Sequence, residues 1–220
     1  MHGHGVDLSP KKSKIAEIAE ISVKWIRENR RSFFAIVGVV VVVLFILIVM
    51  LNASATKKEN ASNSLASAFS YLAAGNGAAG INQLDATISG FPRTPAAYQA
   101  RLLKSDILVS QRNFDGALVL LQETLANGRP SEVRPLALVR IISIYDQQKD
   151  YANAVFYSNE FIRKYKNHFL AKNIYLNLAQ FYMLQGDMIN AARVFNEIMT
   201  SFPGSNEAYI ADTQLKSMQK

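Results

Sequence analysis

The sequence predicts an all-α protein: one N-terminal transmembrane helix, then a solenoid of about four stacked helix pairs closed by a C-terminal capping helix. Two observations predict it. Residues 33–51 form an apolar run without charge or proline. Beyond it, small, Asn/Asp and large apolar residues recur at intervals of 37 positions. The expected layout is a leader over 1–32, an anchor over 33–51, a linker over 52–60 and a repeat domain over 61–220.

The leader carries seven basic and four acidic side chains. Ser9-Pro10 reads as an N-cap with proline at the first helical position. Ile15, Ile18, Ile21 and Trp25 then fall on one helical face. That face suits an amphipathic helix on the inner leaflet, with Trp25 at the interface. A plain helical extension of the anchor fits the same residues. His2 and His4, in a Gly-rich start, are read as incidental rather than as a metal site.

Phe33 to Leu51 spans roughly 28 Å as a helix, close to the hydrocarbon thickness of a bilayer. Lipid offers the backbone no other hydrogen-bond partner, so even a Val/Ile-rich run is helical there. Lys24, Arg27, Arg30 and Arg31 precede the span, with Lys11, Lys12 and Lys14 further back; Lys57 and Lys58 follow it. This bias predicts a cytoplasmic N-terminus and an extracytoplasmic C-terminal domain. Ala53-Ser54-Ala55 has the small residues of a cleavage site. The long apolar core and the 32-residue leader favour a retained anchor.

The rest of the chain bounds the function classes. Its 17 basic and 13 acidic side chains are diffuse, with no basic stripe interleaved with aromatics, so nucleic-acid binding is not expected. There is no cysteine for a disulfide, a lipid anchor or a metal.

The repeat is read by comparing positions 37 apart. Gly80, Ala117, Ala154 and Ala191 are small. Asn76, Asn113, Asp150 and Asp187 share one column. Tyr71, Leu108, Tyr145 and Tyr182 are large, and Ile88, Leu125, Ile162 and Met199 are apolar. Phe91, Tyr165 and Phe202 align, with Gly128 breaking their column. Each unit reads as two helices. The small residue lets them approach, and the Asn/Asp accepts from free N–H groups where the second helix starts. Phe202-Pro203-Gly204 ends the last unit, and 207–219 suits a closing helix.

The stretch 171–195, ending at Phe202-Pro203, resembles a tetratricopeptide repeat through Tyr175, Leu178, Ala179, Tyr182, Gly186, Ala191, Phe195 and Pro203. The unit 135–168 is similar through Ile141, Tyr145, Tyr151 and Ala154. In the earlier units Arg101 and Lys104 stand where that family prefers large apolar residues. The resemblance implies a right-handed superhelix. The whole layout, with Asn113-Phe114-Asp115-Gly116-Ala117 in its first clear repeat, is similar to the bacterial ancillary SecYEG translocon subunit family (YfgM-like). That family implies an inner-membrane location and contact with the SecYEG translocon and a membrane-anchored periplasmic chaperone.

In tetratricopeptide solenoids the first helices of the pairs line a concave face. By register that face should hold Phe69, Leu72, Leu102, Asp106, Val109, Val139, Ser143, Gln147, Leu176, Gln180 and Met183. An apolar groove with amides and hydroxyls suits an amphipathic helix or an extended apolar segment. The same residues could instead pack against the next unit. The face lacks the Lys/Asn pattern of a clamp for a C-terminal carboxylate.

No enzyme motif is present. Gly75-Asn76-Gly77-Ala78-Ala79-Gly80 has the dinucleotide-binding spacing but no strand before it, and the repeat register explains it as a turn. His168 reads as a lone surface histidine. No cofactor is expected. The expected role is a non-enzymatic protein-interaction module at the membrane, held by Phe33–Leu51 in the bilayer. The alternatives are a scaffold of cell-division or outer-membrane assembly machinery, or a self-associating homo-oligomer.

Overall fold

Helical periodicity and regular Asx positions give helices where the sequence places them. A computed structural model of the chain describes residues 14–218. Among these there are ten α-helices and no strand: α1 (Lys14–Glu28), α2 (Arg30–Ala73), α3 (Gly77–Gly90), α4 (Pro95–Ser110), α5 (Phe114–Asn127), α6 (Val133–Gln147), α7 (Tyr151–Tyr165), α8 (Ala171–Leu184), α9 (Met188–Ser201) and α10 (Asn206–Met218). Ser9-Pro10, His2, His4, Lys11 and Lys12 lie outside the described residues. The chain divides into two units, Met1–Ala55 and Thr56–Lys220.

In the first unit, Asn29 N–H donates to Trp25 O (2.9 Å) and Phe33 N–H to Asn29 O (2.9 Å). These two bonds bridge the turn at Asn29 between α1 and α2. Within α2 an 18-residue window has mean hydropathy 3.5 and no residue buried. This is the one helix among the described residues long and apolar enough to cross a membrane. The 52–60 segment, expected as a linker, is helical and belongs to α2; it holds neither Gly nor Pro to stop a helix.

In the second unit the helices pair in sequence order: Thr56–Ala73 of α2 with α3, then α4 with α5, α6 with α7, and α8 with α9, followed by α10. Each hairpin uses one turn four times. Gly75, Arg112, Lys149 and Gly186 take positive φ of 77°, 61°, 60° and 77°. Their N–H groups donate to Leu72, Val109, Asp146 and Met183 O, and the next residue's N–H donates to Tyr71, Leu108, Tyr145 and Tyr182 O. These paired bonds are the Schellman pattern that satisfies the last carbonyls of a helix. The acceptors Tyr71, Leu108, Tyr145 and Tyr182 are the large-residue column of the sequence.

The residue closing each turn also opens the next helix. Asn76, Asn113, Asp150 and Asp187 accept from Ala79, Gly116, Asn153 and Asn190 N–H at 3.0–3.1 Å. The Asx column is therefore a set of four N-caps. Arg112 and Lys149 hold a left-handed conformation that costs an L-residue about 1 kcal/mol. Lys149 is exposed, so Lys149→Gly is expected to raise stability by about 0.5–1 kcal/mol, read as a higher urea midpoint at unchanged slope.

The small column sits where paired helices touch: Ala117, Ala154 and Ala191 are fully buried. A Cβ on Gly80 would lie 2.5 Å from Leu72 Cδ2, so glycine there makes room for Leu72. Gly128 breaks the aromatic column for a similar reason. Its Cβ would fall 2.4 Å from Thr124 O and 2.6 Å from Val133 Cγ2, leaving no space for a side chain.

Candidate functional site

The eleven residues read as one face separate into three columns. Phe69, Asp106, Ser143 and Gln180, 37 apart, are exposed, and Gln147 is exposed beside them. Leu102, in the column shared with Val139 and Leu176, is core: it is 6% exposed and packs with Tyr98, Ala117, Leu121 and Ile141. Val139 and Leu176 are half-buried against core clusters. Leu72, Val109 and Met183 form the third column, also half-buried against core. The physical reason is that one side of each first helix must seal the gap to the next pair. Asp106 is engaged as well: Arg140 donates to both its carboxylate oxygens, at 2.8 and 2.9 Å.

The two residues that depart from the family pattern are ion-paired. Lys104 pairs with Asp85 of the preceding unit. Arg101, 3% exposed, donates to Glu123 Oε1 at 2.8 Å and to Pro92 O at 3.3 Å, with its guanidinium over the Tyr98 ring. The same contact recurs two units later, where Tyr175 OH donates to Glu197 Oε1 at 2.9 Å. Arg101, Leu138 and Tyr175 are 37 apart, as are Glu123, Glu160 and Glu197. A donor on the first helix thus locks onto a carboxylate on the second. Leu138 offers no donor, and Glu160 pairs with Arg163 and Lys164 on its own helix instead.

Burial, then the bond to Glu197, pushes the Tyr175 phenol up to about 12 from its usual 10.0. A raised phenol pKa stabilises the folded state fully below pH 10 and loses that contribution as pH rises through 12. Unfolding free energy is therefore expected to fall between those values, and Tyr175→Phe to flatten that fall, by urea titration at each pH.

The last helices leave an apolar groove open. A cavity of about 610 Å³ is lined by Met183, Met188, Ile189, Ala192, Leu215, Ser217 and Met218. A neighbouring one of about 310 Å³ is lined by Gln180, Met183, Leu184 and Gln214. Ile189 is 85% exposed. Gln180 and Met183 are the members of the expected face that line a groove here. Met188, Ile189, Leu215 and Met218 were not anticipated. Ile189 did carry a signal, standing where the other units have Ala78, Asp115 and Ala152.

Two other sequence features prove structural. Gly75 forms the first hairpin turn, Asn76 caps α3, and Gly77 to Gly80 open that helix. His168 is half-buried; its Nδ1 accepts Leu170 N–H at 3.2 Å and its ring meets Phe161 edge-on.

A family model for the tetratricopeptide repeat-like domain matches residues 23–157, more than half of the chain. The chain belongs to that family. The match runs from within α1, through the apolar run of α2, to within α7. No protein of curated function matches the sequence. Among solved structures, a tetratricopeptide repeat protein from Parabacteroides merdae ATCC 43184 is similar in fold, with TM-score 0.60 and 16% identity. The alignment covers 73% of this chain and 60% of that one, so the chain spans about three fifths of that protein's length. Tetratricopeptide repeat-like domains are protein-interaction modules, typically without catalysis.

Proposed function

We propose that this chain is a membrane-tethered interaction module, on the extracytoplasmic side of a bacterial inner membrane, that docks an apolar segment of a protein partner. The carrying observation is the open groove of Met183, Met188, Ile189, Leu215 and Met218 on a repeat-like domain. Methionine adapts its shape to varied apolar partners. The apolar run of α2 is uncovered among the described residues, and lipid supplies a cover. The basic bias before the run sets its direction. A tether also raises the effective concentration of the domain at the membrane.

Within this reading the partner is the export machinery: the SecYEG translocon and a periplasmic chaperone, as the layout's resemblance implies. Co-purification from detergent-solubilised membranes tests it. Wild-type chain should retain a partner that the Met188→Glu/Ile189→Glu variant loses. Both positions are exposed, so the variant's melting should be unchanged. Equal retention by both proteins contradicts the groove. The side of the membrane is tested by single cysteines, which the native chain lacks. A cysteine at Tyr209, 72% exposed, should react with an impermeant maleimide in spheroplasts; reaction only after lysis contradicts the orientation.

A further inference from the structure

A second cavity lies at the opposite chemical extreme. It measures about 420 Å³ and is lined by Pro92, Arg93, Tyr98, Glu123, Asn127 and Arg129. It sits between the turn that joins α3 to α4 and the turn that joins α5 to α6. The buried Arg101 is bonded to residues of its lining. Pro92 accepts from Arg101 Nη1, Glu123 accepts from Nη2, and Tyr98 lies beneath the guanidinium. All three of these residues line the cavity. Arg101 Nε is buried and has no partner. Arg93 and Arg129 are exposed and make no ion pair among the described residues. Two unpaired guanidinium groups therefore line the cavity together with a carboxylate already paired to Arg101.

We propose that this cavity binds an acidic segment of a partner protein, with a side-chain carboxylate held by Arg93 and Arg129. Arginine's planar fork matches a carboxylate and holds it in two parallel bonds. The volume suits one or two residues of an extended chain. Glu123 decides between a peptide and a bare anion. One of its oxygens already accepts from Arg101, and the other accepts no hydrogen bond among the described residues. A dianion with acceptors only would meet that oxygen as like charge. A peptide brings N–H donors to it, and Asn127 can serve both an N–H and a C=O of the same backbone. The site stands on different residues from the apolar groove, so either can fail without the other.

Fluorescence anisotropy on the full chain in detergent tests the proposal. The probe is a fluorescein-labelled, C-amidated pentapeptide of Gly, Asp and Glu. Its Asn/Gln counterpart should bind at least about tenfold more weakly, the loss typical of one charge-assisted contact. Arg93→Ala/Arg129→Ala should weaken the acidic peptide by a similar factor with melting unchanged, and Arg93→Glu/Arg129→Glu should transfer preference to a Lys peptide. Equal binding of the acidic and neutral peptides would overturn the proposal, as would undiminished binding by the double alanine variant. Displacement of the peptide by inorganic phosphate at equal concentration would overturn the peptide assignment and leave a simple anion site. Binding of the Asn/Gln peptide only when it carries a free C-terminus would show a chain-end carboxylate as the source and also overturn it.

Discussion

Phe161→Ala is expected to cost about 3–5 kcal/mol of unfolding free energy, enough to remove much of the stability of a domain this size. Phe161 is fully buried in α7. Its size answers a gap at the neighbouring column. On the second helices the buried pairs are Leu84 and Thr87, Leu121 and Thr124, Ser158 and Phe161, Phe195 and Ile198, spaced by 37. In the third unit the large residue has moved one turn along the helix, and Ser158 leaves the space it would have filled. Alanine at 161 would place two small residues in that layer, with little nearby to collapse into the hole. Ser158 predicts the complementary result. Its hydroxyl is buried with no hydrogen-bond partner, so Ser158→Ala should be neutral or slightly stabilising. The double change Ser158→Leu/Phe161→Thr recreates the second unit's pair and should recover most of the loss. Thr124 shows how the new hydroxyl is satisfied: its Oγ1 donates to Leu120 O at 2.8 Å. Urea unfolding of the full chain reads all three. A loss below about 1 kcal/mol for Phe161→Ala would mean the layer is not close-packed.

Glu123→Ala should destabilise by about 2–3 kcal/mol, less than for a fully enclosed pair because Glu123 is half exposed. It strands the Arg101 guanidinium, whose side chain is 3% exposed, with Pro92 O as its remaining acceptor. Removing the buried charge itself should behave differently. Arg101→Met keeps the packing on Tyr98, releases Glu123 to water, and should be neutral to stabilising. The asymmetry is the informative part. If Arg101→Met costs as much as Glu123→Ala, the ion pair contributes net stability rather than satisfying an otherwise costly charge.

The hairpins were legible because their requirements are local. An Asx residue must cap each second helix, and a small residue must stand where two helices touch, so the 37-residue period survives even in units whose other columns have drifted. Arg112 and Lys149 hid the left-handed turn that Gly75 and Gly186 reveal, since the fold tolerates the strain of a side chain there. Arg101 read as a departure from the pattern; the matching column of Glu123, Glu160 and Glu197 was the sign that it donates where Tyr175 does. The face of the first helices was legible only in part. Whether Leu102 or Phe69 meets solvent depends on how one pair stacks on the next, and helical register within a single pair does not specify that. The open groove lies where α8 and α9 meet α10, and α10 has no counterpart in the repeat columns, so only Ile189 could signal it.

The groove should hold a protein partner at the membrane. Photocrosslinking in intact cells from p-benzoylphenylalanine at Ile189, with Phe169 as an exposed control, tests it most directly. A discrete heterologous adduct in the membrane fraction, formed from position 189 and not from 169, is the predicted result. An adduct only at twice the 24.4 kDa chain mass, or none at all, would contradict it.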